Sequence, residues 1–281
     1  MRYKISTQPE TTRQLIIRSL RLYGFAFSKV ILLALALSIT NFIPELLGFI
    51  TNIDVFYTSS LLSSQRFGLL LAYVVSLLLF TAILWRIRCL IRHAHETVED
   101  DLKIALKKIP SILIAVIVQA FIFILASLAT VSFYTYLLQH HGDFIFSTNR
   151  FLNFIMLLFF SLPFLFNIFI TVLFLFYLPL ILTENMGVIS SLKQSANLVW
   201  KKWWRTLLVQ AIPLVCYLAI LYVINRHTVI KIPVDFFLPG TPPTLLAVLI
   251  HLLLLALFIP WVAATLLVQL RDLELRKKLS P

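Results

Sequence analysis

Charge is scarce in this chain. Of its 281 residues only 13% are Asp, Glu, Lys or Arg, against about a quarter in a typical soluble domain. A water-facing surface at this length cannot be covered with so few charges, and 60% hydrophobic residues exclude a disordered polymer. Glycine (6) and cysteine (2) are also few. There is no P-loop and no GxGxxG, and HExxH and GxSxG are missing as well. Cys89 and Cys216 form no CxxC and lie in or beside apolar runs, which predicts buried free thiols rather than a disulfide scaffold or a zinc site. These absences predict a non-enzymatic chain with no cofactor and no metal.

What is plentiful is apolar length, with 24 Phe and a mean hydropathy of +0.95. Crossing the ~30 Å hydrocarbon layer takes about 20 helical residues at 1.5 Å each. Six stretches qualify: Val30–Ile50, Phe67–Trp85, Ser111–Leu137, Phe151–Leu182, Thr206–Ile224 and Thr244–Leu270. The first is not read as a cleavable signal, because no small-residue cleavage site follows it. The fourth is overlong, and Pro163 and Pro179 predict a kink, a tilt or an interfacial tail at Leu178–Leu182. The expected fold is all-α: a polytopic membrane helical bundle, one integral membrane domain over residues 1–281, with a short basic tail at 271–281.

The net charge of +12 would suggest nucleic acid in a soluble protein. Its placement argues otherwise. Twenty of the 24 basic residues fall in the N-terminus, the second and fourth loops and the C-terminus; only Arg66, Arg150, Arg226 and Lys231 fall in the alternate loops. That asymmetry predicts both termini in the cytoplasm. Trp85, Trp200, Trp203 and Trp204 gather on the same predicted side.

The entries into three spans share a pattern. Ser19-Leu20-Arg21, Asp101-Leu102-Lys103 and Ser191-Leu192-Lys193 recur at separations of 82 and 90 residues, each opening an amphipathic segment followed by two spans. This predicts three pseudo-repeats of a helix pair, about 12–92, 94–182 and 184–270. Val98, Leu102, Ala105, Leu106 and Ile109 make one helical stripe, opposite Glu99, Lys103 and Lys107. Thr97 with Asp100 offers a capping box. In the third copy Val188, Leu192, Val199 and Trp203 form the stripe, with Ser191, Lys193, Gln194, Asn197 and Lys201 opposite. Such segments are expected along the cytoplasmic interface, their cations toward anionic lipid head groups. The expected contacts are Arg18, Arg21, Lys29, Lys103, Lys107, Lys193, Lys201 and Lys202. Capping of the bundle is the compatible structural alternative.

Polar residues within spans are the other candidates. Gln119 lies eight residues and Gln210 four residues past the first residue of their spans. With His251 they are expected either to line a polar path or to bond between helices. Glu45 reads as an interfacial carboxylate. His140, His141 and Asp143, and His93 and His95 with Glu96, supply too few ligands for a metal. No Asp lies within any span.

The most specific stretch runs from Pro179 through Glu184, Met186-Gly187-Val188, Ser191-Leu192-Lys193 and Ser195 to Trp200. It resembles the YciC-like family of uncharacterised bacterial inner-membrane proteins, as do Leu102-Lys103 with Pro110 and the layout of six spans. It is more distantly similar to the membrane domain of some glycerophosphodiester phosphodiesterases, although no soluble catalytic domain of that kind is present. The resemblance implies a place, the bacterial inner membrane, and brings no catalytic residue. The expected role is contact with anionic lipids in support of membrane or envelope homeostasis, alone, as a homo-oligomer or with other inner-membrane proteins. The alternative is a transporter or permease for a lipid or small apolar solute.

Overall fold

The computed structural model describes residues 7–51, 63–94, 97–145, 165–227 and 244–279. These residues carry helices and no strand. In chain order they are α1 (Thr12–Thr51), α2 (Ser63–Arg92), α3 (Val98–Ile145), α4 (residues 165–173), α5 (Tyr177–Glu184) and α6 (Val188–Val199). A 3-10 turn at Trp200–Lys202 leads to α7 (Trp203–His227), and α8 is Leu245–Leu279. Six helical stretches are long and apolar enough to cross a membrane: Thr12–Ile43, Leu70–Arg92, Val98–Leu128, Leu165–Glu184, Val188–His227 and Leu245–Leu279. The chain is an all-α, six-helix polytopic membrane protein by length and composition.

The amphipathic entries differ from the expectation in one respect. α1 and α3, of 40 and 48 residues, carry entry and span in a single helix. At 1.5 Å per residue they run about 60 and 70 Å, twice the hydrocarbon thickness. Entry and span are therefore one helix in each case rather than two. Pro110 does not end α3. In the third entry a 3-10 turn at Trp200–Lys202 separates α6 from α7 within the one helical stretch Val188–His227.

Helix starts are built twice by the same device. Thr97 N–H bonds the Asp100 carboxylate at 3.0 Å and Asp100 N–H returns to Thr97 Oγ1 at 3.2 Å, closing the expected box. Thr11 and Gln14 close a second one ahead of α1 at 2.9 and 3.3 Å. The third entry starts on Gly187, which offers no side-chain cap.

Two compact units emerge, Met1–Ile109 with Leu207–Pro281, and Pro110–Thr206. In the first, α1 packs most extensively on α8. Leu15, Ser19, Leu22, Ala26, Val30, Ala34 and Leu37 make a buried α1 stripe with helical period. Ala256, Ala263 and Ala264 of α8 are equally buried, small residues of the kind that let helix backbones approach. Trp261 Nε1 donates to Ser19 Oγ at 3.2 Å, fixing the register of that pair. Farther along, Ser76 of α2 donates to Asn41 of α1 at 2.7 Å. In the second unit, α5 packs on α6.

The first residue of each recurring triplet is buried: Ser19 at 1%, Asp101 at 0% and Ser191 at 0% exposure. This corrects two stripes. In α3 the buried line is Asp101, Ala105, Ile109 and Ile112, while Val98 and Leu106 are exposed. The face is set by Arg86 of α2, whose guanidinium meets the Asp101 carboxylate at 3.1 Å. In α6 the buried line is Ser191, Leu192, Ser195, Leu198 and Val199. Ser191 sits there because its hydroxyl donates to Val188 O at 2.7 Å and needs no water.

The Arg86–Asp101 pair makes a direct prediction. Breaking a buried ion pair by removing one partner costs about 3–5 kcal/mol, whereas a packed apolar pair is close to neutral. Asp101→Ala should lower the unfolding midpoint of the detergent-solubilised protein strongly, and Arg86→Met with Asp101→Leu should recover most of it. A double variant as unstable as the single one would refute this account of the α2–α3 corner.

Candidate functional site

Three polar regions emerge, two along the first compact unit and one on α6 with its neighbours. The intramembrane candidates separate at once. Gln210 Nε2 donates to Gln269 Oε1 of α8 at 2.7 Å, and Gln269 is buried. His251 Nε2 hydrogen-bonds the Tyr217 hydroxyl, and the Phe42 ring stands edge-on to the imidazole at 4.9 Å. Along α8 the eighteen residues from His251 to Gln269 rise about 27 Å. Gln210 and His251 therefore serve two separate interhelical contacts. Gln119 lies half-buried in the second unit. Gln269 stands in the last apolar run, and its partner Gln210 lies on another helix, 59 residues away in sequence.

The second region is a charged clamp joining the segment before α1 to the end of α8. Glu10 N–H donates to Asp272 Oδ1 at 2.7 Å, and Arg276 donates to Asp272 Oδ2 at 2.8 Å and to the Glu10 carbonyl at 2.5 Å. Arg18 closes it with a 2.7 Å contact to the Glu10 carboxylate. Arg18 is thus committed to Glu10 rather than left outward for a head group. A shallow cavity of about 360 Å³ adjoins, walled by Gln8, Glu10, Gln14, Arg18 and Arg21 among others.

The remaining cations stay outward. Arg21, Lys29, Lys107, Lys193, Lys201 and Lys202 are exposed. Lys103 is exposed too, in a 2.8 Å pair with Glu99 four residues before it, an arrangement worth little at a surface. Around the lysines of the third entry stand aromatic rings. Trp200 and Trp204 are 62% and 61% exposed, Trp203 stacks on Trp204 at 4.1 Å, and Phe169 of α4 meets Trp200 and Trp203 edge-on at 5.7 and 5.4 Å. Arg88 stacks over Trp85 at 4.9 Å. Tryptophan and lysine side by side is the composition of a membrane–water boundary.

The fourth span is broken, though not at a proline. α4 ends at residue 173, residues 174–176 form a turn, and α5 resumes at Tyr177. Pro179 lies in the first turn of α5, where its ring excludes an ordinary helical bond to the carbonyl four residues back. Pro163 lies outside the described residues. Ser195 of α6 fills the gap: its hydroxyl accepts from Phe176 N–H at 3.1 Å and donates to Leu173 O at 2.7 Å.

Among the described residues no group of three His, Cys, Asp or Glu gathers to hold a metal. The side chains of Glu45, His140, His141 and Asp143, and the whole of His95 and Glu96, lie outside the described residues. His93 adopts the left-handed conformation (φ 58°) just past α2, as Asn185 does (φ 52°) past α5. Cys89 is buried and Cys216 half-buried, and neither is in a disulfide. No family model, curated protein or solved structure matches this chain.

The clamp predicts an asymmetric loss. Asp272→Ala removes the acceptor of Glu10 N–H and the partner of Arg276 together, so hydrogen exchange over residues 8–12 should accelerate. Exchange within Ala263–Leu267 should not change. An unaltered rate at 8–12 would show that Glu10 is held by something else.

Proposed function

We propose that this chain is a multi-pass protein of the bacterial inner membrane, akin to the YciC-like family, that contacts anionic lipids at its cytoplasmic face without catalysing a reaction. In this reading it supports membrane or envelope homeostasis. The observation that carries it is the α6–α7 junction, where exposed Lys193, Lys201 and Lys202 accompany exposed Trp200 and Trp204. Each lysine near an anionic surface contributes about 1 kcal/mol, and tryptophan favours the same depth.

The clamp supports the orientation. The bond between Glu10 and Asp272 is consistent with the segment before α1 and the end of α8 sharing a side. The cation bias favours the cytoplasm for that side. The pseudo-repeat gains support from the shared burial of Ser19, Asp101 and Ser191.

A permease gains the broken span, a common feature of transporters. Its expected path fares worse, because Gln210 and His251 stand far apart along the bundle and each is occupied by a protein partner. Lipid contact is therefore the preferred reading.

Native mass spectrometry of protein released from nanodiscs of mixed phosphatidylglycerol and phosphatidylcholine provides the test. Wild-type protein should retain phosphatidylglycerol preferentially, and a Lys193→Gln, Lys201→Gln, Lys202→Gln variant should lose that preference several-fold. Equal retention by the two proteins would defeat the lipid-contact reading, and a carboxyl-terminal reporter found in the periplasm would invert the orientation.

A further inference from the structure

The helix break at Phe174–Phe176 and the cations of α6 belong to one mechanical unit. In a continuous helix Phe176 N–H would bond Val172 O, and Tyr177 N–H would bond Leu173 O. Here Val172 O receives Leu175 N–H at 3.3 Å, and Tyr177 N–H turns to Phe174 O at 3.3 Å. That leaves Phe176 N–H and Leu173 O to find partners within an apolar span, where an unmet peptide group costs several kcal/mol. A single hydroxyl, Ser195 Oγ, meets both. Ser195 is fully buried, as is Phe176. Pro179 has no N–H to return to Leu175 O, so straightening would not restore a complete ladder.

The clasp is gripped at more than one point. Before the break, Phe169 of α4 is held edge-on by Trp200 and Trp203, just past the end of α6. After it, α5 packs along α6. The opposite side of α6 carries exposed Lys193, and the turn that ends it carries exposed Lys201 and Lys202.

We propose that α6 is a lipid-responsive latch: its buried Ser195 holds the break in the fourth span, and its outward lysines let anionic head groups set how firmly that break is held. This rests on the lipid-contact reading above and adds its regulation. Head groups gathered on Lys193, Lys201 and Lys202 restrain α6, and Ser195 stays seated between Leu173 and Phe176. Without them α6 is freer to shift, and the clasp opens more often.

Hydrogen exchange of the full-length protein tests this in nanodiscs of phosphatidylglycerol with phosphatidylcholine, and of phosphatidylcholine alone. The readout is the amides of Phe176 and Tyr177, resolved by overlapping fragments. One net hydrogen bond corresponds to about a five- to ten-fold change in opening. In the wild type those amides should exchange several-fold more slowly in the anionic bilayer. Ser195→Ala should exchange fast in both bilayers, and the Lys193, Lys201, Lys202→Gln variant should lose the lipid dependence while keeping Ser195. If Ser195→Ala does not fold, the wild type against the lysine variant decides alone. Lipid-independent exchange in a wild type that still retains phosphatidylglycerol would overturn the latch and leave the lipid reading standing. Failure to retain anionic lipid at all would remove both. Unchanged exchange in Ser195→Ala would show that the clasp does not hold the break.

Discussion

A peptide group or charged side chain inside a hydrocarbon layer has no water to bond, and lipid tails are as apolar as leucine, so helices there gain little from hiding apolar surface. What joins the helices of this protein must come from close approach and from polar contacts. Several buried polar residues supply such contacts. Ser19 takes the Trp261 indole, Asp101 takes Arg86, Ser191 bonds its own helix, and Ser195 fills a broken ladder. Gln269 accepts from Gln210. Small residues do the rest where α1 meets α8, with Ala26, Ala34, Ala263 and Ala264 fully buried.

This also explains what could be read from the sequence and what could not. Spans and entries are local properties: a run of hydropathy, a 3.6-residue period, a Thr97 three residues before Asp100. Those were legible. Which side of an entry is buried is not local, because the decision belongs to a partner elsewhere. Leu106 and Val98 looked like core and are exposed, while Asp101 looked like surface and has no exposure, because Arg86 lies fifteen residues upstream on another helix. The break shows the same limit. Pro179 signals disturbance, yet its site at residues 174–176 depends on a serine on another helix. Glu10 was one acid in a polar N-terminus until Asp272 met its amide across nearly the whole chain. Thr11 and Gln14 did spell a capping box that could have been noticed.

The buried ion pairs are made by arginines: Arg18 with Glu10, Arg86 with Asp101, Arg276 with Asp272. Arg13, Arg21, Arg92, Arg226 and Arg271 are nonetheless exposed, as most of the described lysines are. A planar guanidinium with five donors suits carboxylates held at fixed angles in low dielectric, and it stays charged there. Lysines are left outward at 29, 107, 193, 201 and 202. A compact ammonium on a flexible stem suits head groups that exchange and change position. Within the three triplets the pattern repeats, the buried member first and the exposed cation third. Arg21 alone takes the outward place with a guanidinium.

The three entries are therefore alike in burial and unlike in attachment, and the difference falls on α6. α1 and α3 begin with reciprocal threonine boxes, and each carries its entry and its span in one helix. α6 begins on a glycine with no side-chain cap and ends in a 3-10 turn. The 3-10 turn keeps helical backbone from Val199 to Trp203, and Trp200 N–H still bonds Ala196 O. Sideways, α6 offers Ser195 in the gap between α4 and α5, with tryptophan on Phe169 and lysines facing outward. Of the three entries it is the one set off from its span by a 3-10 turn, and the proposed latch is placed there for that reason.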